Sequence, residues 1–304
     1  SLIMSNEAAL DDLRATLTEG GQLSDGQVEN LTLNTDLLSL GMLADDVRRS
    51  RHGDSTTFVR VAEVPVQGSV SPELRGEAME LRIIGVPDSP EVMVSAVRLA
   101  AEAGRPVTGY AVHDLLEMSN GDMALFRNLL DELLEVGLAA ISELVVDRTP
   151  EPESVISTVV DAGLAISRVT IHEALGDKRI GFVKAVAGWM LPANGVWAFA
   201  PLPRADVVSD SGAPPPTGYD DVRQVALARL LVDNIGSIQV DWTLHGPKLA
   251  QVALTFGADD IDAVPAVDAV DLGSRRTSLE EVRQNIRAAA FVPVERNGCF
   301  ERVM

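Results

Sequence analysis

The chain has 304 residues, a formal net charge of −20, 46% hydrophobic and only 4% aromatic residues. This length and apolar content suit one large α/β domain and exclude wholesale disorder, while the acidic balance excludes a general affinity for nucleic acid or anionic lipid. A single cysteine, Cys299, excludes an internal disulfide, a multi-cysteine zinc site and a protein-held iron–sulfur cluster.

The N-terminal stretch turns acidic too early for a signal peptide, and no run approaches the roughly 18 apolar residues of a membrane span. A cytoplasmic protein without membrane association is expected. Leu10, Leu13 and Leu17 repeat at helical spacing up to Gly20-Gly21, a second helix opens at Ser24-Asp25, and a third covers about 35–50. The third ends in Arg48-Arg49-Ser50-Arg51-His52-Gly53, cations at the negative helix terminus with a glycine beyond, which reads as helix capping. From Thr57 onward short β-rich runs (58–66, 79–85, 106–111, 138–144, 166–172, 195–200 and 237–242) alternate with amphipathic segments (90–103, 114–136, 153–162, 179–190 and 219–234). Such alternation predicts parallel strands joined by crossover helices, and seven strands in so few residues favour a TIM-like (βα) barrel or partial barrel. Residues 201–216, with five prolines, read as a long loop, and 257–273, with Asp259, Asp260, Asp262, Asp268 and Asp271, as an acidic one. A last helix over 278–290 opens with capping-box spacing at Ser278-Leu279-Glu280-Glu281. The expected organisation is an N-terminal helical extension (1–56) and a barrel with a C-terminal helical cap (57–304).

In a (βα) barrel the functional face lies at the C-terminal strand ends. His113, His172 and His245 fall just after candidate strands and could hold a divalent metal with Glu143 or Asp241, or merely cap strands and satisfy carbonyls. Asp259-Asp260 reads either as a magnesium pair or as a helix stop followed by a cap. No G-x-S-x-G, Walker A loop or Cys–His pairing is present. The pocket shortlist is therefore Arg60 and Glu63 from the first strand, His113 from the third, Glu143 from the fourth, His172 from the fifth, and Asp241 and His245 after the seventh. Arg204, in the proline-rich loop, could meet a carboxylate or phosphate. No catalytic residue and no metal ligand is assigned.

Four C-terminal segments carry a resemblance: Pro216-Thr217-Gly218-Tyr219-Asp220-Asp221, Ala226-Leu227-Ala228-Arg229-Leu230-Leu231-Val232-Asp233-Asn234, Trp242-Thr243-Leu244-His245-Gly246-Pro247-Lys248-Leu249-Ala250-Gln251, and Phe256-Gly257-Ala258-Asp259-Asp260-Ile261-Asp262. With the helix around Leu40-Gly41-Met42-Leu43-Ala44-Asp45-Asp46 and the ending Pro293-Val294-Glu295-Arg296-Asn297, they resemble radical S-adenosylmethionine (SAM) enzymes of the futalosine route to menaquinone. That branch contains aminofutalosine synthase and dehypoxanthine futalosine cyclase and is related to deazaflavin synthase. The resemblance implies a barrel of the radical SAM type and a CxxxCxxC cluster loop after the first strand. Here that place reads Val66-Gln67-Gly68-Ser69-Val70-Ser71-Pro72-Glu73-Leu74, without cysteine, and the following crossover is too short for a full helix. Where the family has a glycine pair that seats the SAM amino group, Gly85 is followed by Val86, and the glycine-rich turn after the fourth strand is replaced by Ser142-Glu143-Leu144-Val145. Neither an iron–sulfur cluster nor bound SAM is expected. Two functions follow. One is a cluster-less homologue, a pseudoenzyme that binds a nucleoside-like or aromatic-acid ligand or acts as a protein partner or homo-oligomer. The alternative is a repurposed lyase or hydrolase using the strand-end His, Glu and Asp residues, with or without a divalent metal.

Overall fold

In the computed structural model, residues 2–68, 77–173, 177–204, 218–268 and 277–304 are described. Three helices precede the first strand: α1 (Leu2–Thr18), α2 (Asp25–Leu33) and α3 (Leu37–His52). Ser24 and Gln27 form a capping box at the start of α2, and the Asp36 carboxylate accepts the Ser39 N–H at the start of α3. Leu40, Leu43, Ala44 and Val47 bury one side of α3. The basic end of α3 does more than cap it. Fully buried Arg48 donates to the carbonyls of Gly53, Ser55 and Ala258, which pins α3 to the barrel.

The strands are β1 (Ser55–Pro65), β2 (Glu80–Ile84), β3 (Val107–Ala111), β4 (Leu138–Val145), β5 (Ile166–Thr170), β6 (Val196–Ala200), β7 (Ser237–Asp241) and β8 (Asp260–Pro265). All pair in parallel and in sequence order, and β1 pairs with both β2 and β8, so the eight strands form a closed TIM-like barrel. A ninth strand, β9 (Val292–Glu295), lies parallel to the first residues of β1. Helices between the strands cover the outside: α4 (Pro90–Ala101), α5 (Val112–Met118), α6 (Met123–Glu135), α7 (Pro152–Asp161), α8 (Asp177–Ala187), α9 (Gly218–Leu231), α10 (Trp242–Leu254) and α11 (Ser278–Ala288). The capping box of α11 uses Thr277 with Glu280, one residue before the expected Ser278.

β8 corrects the reading of 257–273 as an acidic loop. Its acids alternate across the strand, as period 2 requires. Asp259 turns outward to Arg229 of α9, while Asp260 and Asp262 turn into the barrel. Arg296 grips Asp260 through Nε (2.6 Å) and Nη2 (2.8 Å). Arg82 of β2 donates to both Asp262 oxygens (3.1 and 2.8 Å), and Arg168 of β5 stands 3.3 Å from the same carboxylate. Because β2, β5 and β8 are not neighbours in the sheet, these bonds cross the barrel interior. Glu80, Thr108 and Gln239 join them. The interior is thus an ionic layer where many such barrels stack Val, Ile and Leu. Both acids of the Asp259-Asp260 pair are engaged by arginines, so the helix-stop reading holds for Gly257, whose φ is +109° and whose Cβ would come 2.7 Å from the Arg229 Cβ.

The expected cluster-loop segment falls partly on 69–76, the proline-rich loop on 205–217 and the end of the acidic loop on 269–276, all outside the described residues. Among the described residues, no helix is long and apolar enough to cross a membrane.

Burial alone would raise the pKa of Asp262, but the charges of Arg168 and Arg82 and the Arg82 hydrogen bonds hold it far below the usual carboxylate range. D262N leaves both guanidinium groups without that counter-charge and should cost about 3–5 kcal/mol in urea denaturation. Since the folded pKa is depressed, the stabilisation is complete above the unfolded value of about 3.9 and declines as pH falls below it. The stability–pH curve of D262N should therefore be flatter than wild type below about pH 4.

Candidate functional site

Above the ionic layer, at the C-terminal ends of the strands, a cavity of about 530 Å³ opens to solvent. Four shortlisted residues line it: Glu63 at the end of β1, Glu143 in β4, Arg204 after β6 and Asp241 at the end of β7. Arg82 and Arg168 form part of its floor. At the rim, Tyr110 and Ala263 hold φ of +65° and +57°, left-handed backbone that L-residues adopt only at a cost. The Tyr110 hydroxyl is anchored on the Met93 carbonyl at 2.8 Å.

Glu143 has two side-chain partners at the mouth. Thr170 Oγ1 donates to its Oε2 at 2.8 Å, and His172 Nε2 lies 3.2 Å from the same oxygen. His172 is itself placed by Asp147, whose Oδ1 accepts the His172 N–H at 2.9 Å. Burial raises the Glu143 pKa, but the His172 hydrogen bond, the charges of Arg204 and His172 and the Thr170 hydroxyl bring it down to about 2. Asp114, in the first turn of α5, behaves oppositely. Burial is the main cause that raises its pKa, and Glu143 adds to the rise against the nearby His113. Asp241 caps α10 by accepting the Leu244 N–H at 2.8 Å and faces Arg204 Nη1 at 3.4 Å.

The remaining shortlisted residues stand elsewhere. Arg60 is directed away from the mouth, bonded to Glu295 of β9 (2.6 Å) and Glu77 (2.7 Å). Arg60 and Glu63 are three residues apart, an odd spacing that puts them on opposite faces of β1. His113 sits behind Asp114 at 3.4 Å with a buried, unbonded Nδ1. His245 lies in α10 outside the cavity lining, and burial, with the charge of Arg204, lowers its pKa. None of the three histidines is part of the cavity lining. Among the described residues no group of three or more His, Cys, Asp or Glu is placed to hold a metal ion.

Arg82, Arg168, Asp114 and Tyr110 escaped the sequence reading. The available signal was an arginine inside a β-rich run, in Glu80-Leu81-Arg82-Ile83 and Ser167-Arg168-Val169, where an unpaired charge would be untenable.

Residues 195–303 match the family model described as the CofH/MqnC C-terminal region. Aminodeoxyfutalosine synthase of Streptomyces coelicolor is 40% identical over 91 residues, 28% of this chain and 24% of that protein. The 5-amino-6-(D-ribitylamino)uracil--L-tyrosine 4-hydroxyphenyl transferase of Archaeoglobus fulgidus is 26% identical over 204 residues, 64% of this chain and 60% of that protein. The chain thus spans less than two thirds of these relatives. Among solved structures, methylornithine synthase (PylB) superposes with a TM-score of 0.66 at 15% identity, covering 92% of this chain and 97% of that one. The hydrogenase maturase HydG also reaches 0.66, at 12% identity over 96% of this chain and 77% of its own. The resemblance read from the sequence is upheld through the C-terminal region, which is similar to these relatives, and the two solved structures share the barrel fold.

In a carboxyl-carbon NMR titration, Glu143 should stay ionised down to about pH 2. H172A should move that midpoint upward, toward the ordinary carboxylate value. Because the folded pKa lies below the unfolded one of about 4.3, the pair's stabilisation is present above that pH and lost as pH falls toward about 2. An unchanged Glu143 midpoint in H172A would show that the histidine does not hold the carboxylate.

Proposed function

We propose that this chain is a cluster-less, cytoplasmic relative of the menaquinone-pathway radical SAM enzymes. It binds a small nucleoside-like or aromatic-acid ligand in the barrel mouth and does not cleave SAM on its own. The observation that carries this reading is the contrast between the two barrel ends. A [4Fe–4S] cluster that cleaves SAM needs three thiolates at the mouth. The one cysteine follows β9, and its neighbour Gly298 donates to the carbonyl of Met79 just before β2, at the opposite end from the cavity. Burial is the first cause that raises the Cys299 pKa, which further disfavours the thiolate. The donor set does not fit a cluster, and no step is routed through one.

The mouth supports the binding half of the proposal. Its volume lies within the range of roughly 300–1,000 Å³ common for small-molecule sites, and it offers acids, guanidinium groups and a tyrosine backbone around a rigid floor. A partner role draws on Leu33 of α2 and Leu38 and Met42 of α3, which expose apolar side chains. One observation favours the second reading, a repurposed lyase or hydrolase. Asp114 and Glu143 share the cavity with proton affinities pushed apart, the pattern that lets one carboxyl donate and another accept a proton.

A thermal-shift panel tests the choice. A ligand at a hundredfold its Kd adds about 2.7 kcal/mol, worth a few degrees in a chain of this size. Stabilisation by aminofutalosine, dehypoxanthine futalosine or chorismate, with none by SAM, is the expected result. Stabilisation by SAM, or an iron–sulfur absorption band after anaerobic reconstitution, overturns it. A response to divalent metal alone would move the assignment to the second reading.

A further inference from the structure

We infer that the barrel mouth contains a receptor for one carboxylate group, formed by the guanidinium groups of Arg168 and Arg204. The inference rests on the reading of the mouth as a ligand site and adds the charge of the ligand and its orientation.

Buried hydrogen-bond donors are almost always satisfied, and each exception needs an explanation. The buried and partly buried arginines supply an internal comparison. In Arg48, Arg82, Arg229 and Arg296 the Nε and both Nη atoms all have partners. Arg168 and Arg204 break the pattern, and both line the cavity. Arg168 is 3% exposed. Its Nε donates to Gln239 Oε1 and its Nη1 to the Ser142 carbonyl, but Nη2 has no partner and stands 3.9 Å from Glu80 Oε1, beyond hydrogen-bond reach. In Arg204, the buried Nε is unbonded, and Nη1 reaches Asp241 Oδ2 only at 3.4 Å. A third exception, Arg179, gives its Nη2 to Asp221 at 2.7 Å and is not part of the cavity lining.

Two neighbouring acids each hold one oxygen on another partner. Glu143 Oε2 accepts from Thr170 and faces His172, and Asp241 Oδ1 accepts the Leu244 N–H. Among the described residues no acidic oxygen bonds Arg168 Nη2 or Arg204 Nε, which leaves these donors for an incoming acid. The same acids select its charge. Ionised Glu143 stands in the cavity with Glu63 and Asp241, so a second negative charge on the incoming group meets repulsion. This favours a carboxylate monoanion over a phosphate dianion, and it orients the ligand with its acid toward β5 and the end of β6.

The test uses the whole chain, benzoate as probe, benzamide as its neutral isostere and inorganic phosphate. Titrations are followed through arginine Nε–H resonances and calorimetry. Benzoate should shift the Arg204 Nε–H signal and bind at least tenfold tighter than benzamide or phosphate at pH 7. R204Q should lose tenfold or more of the benzoate affinity, and R204K should not restore it. Absence of benzoate binding, equal affinity for benzamide, tighter binding of phosphate, or unchanged benzoate affinity in R204Q each overturns the receptor. If a futalosine-type compound still raises the melting midpoint of both wild type and R204Q, the mouth remains a ligand site and only the carboxylate receptor fails. The wild-type comparison of benzoate with benzamide stands even if a variant does not fold.

Discussion

The barrel depends on the pairing of Arg82, Arg168 and Arg296 with Glu80, Asp260 and Asp262 in its interior. Three cations and three anions taken out of water are a poor source of stability in themselves, since desolvation offsets most of their attraction. What they supply is constraint. Arg82 and Arg168 each reach across the barrel to a strand that is not a neighbour, so the groups match only when β2, β5 and β8 share one register. A slip by one residue would turn Asp260 and Asp262 outward and leave guanidinium groups unpaired in the centre. The C-terminal segment belongs to the same lattice. Arg296 enters from beyond β9, stacks on Phe300 at 3.6 Å and closes the end opposite the cavity.

This lattice also fixes what the mouth can be. Arg82 and Arg168 are held from below by Asp262, so the cavity floor is positioned by bonds that do not depend on a ligand. A preformed floor reduces the ordering that binding would otherwise demand. The strained backbone at Tyr110 and Ala263 sits directly above it, at positions where left-handed geometry costs about 1 kcal/mol each. Tyr110 has an evident hold in its Met93 hydrogen bond. For Ala263 the neighbouring bond is to its carbonyl, which accepts the Thr243 hydroxyl at 2.7 Å.

Much of the architecture was legible because most strands bury apolar residues on the helix side and alternate with amphipathic helices. β8 was not, for the reason that makes it important. Its sequence, Asp260-Ile261-Asp262-Ala263-Val264-Pro265, carries charges on the inward face, so a search for apolar periodicity reads it as loop. β9 is only four residues with a proline and gives no periodic signal. Glu63, Glu143, Arg204 and Asp241 were legible because strand ends face the mouth of a (βα) barrel. Arg82 and Arg168 lie mid-strand, and their role is visible only when the acids of β8 are recognised as interior. Arg60 had the right chemistry and the wrong parity.

The overall charge takes on a different meaning once the interior is known. Among the described residues, the buried charged side chains are six arginines and five acids, nearly balanced, so the formal −20 is carried by the exterior. An acidic exterior slows the approach of every anion and makes non-specific retention of anionic polymers untenable. Only a site that has withdrawn guanidinium groups from solvent can hold an acid against that field, and only a small, singly charged one is admitted where Glu63, Glu143 and Asp241 already stand. The exterior therefore acts as a filter and the arginines of the mouth as the receptor. The same segregation that lets β8 carry its acids inside the barrel keeps Arg168 and Arg204 away from the surface carboxylates that would otherwise satisfy them.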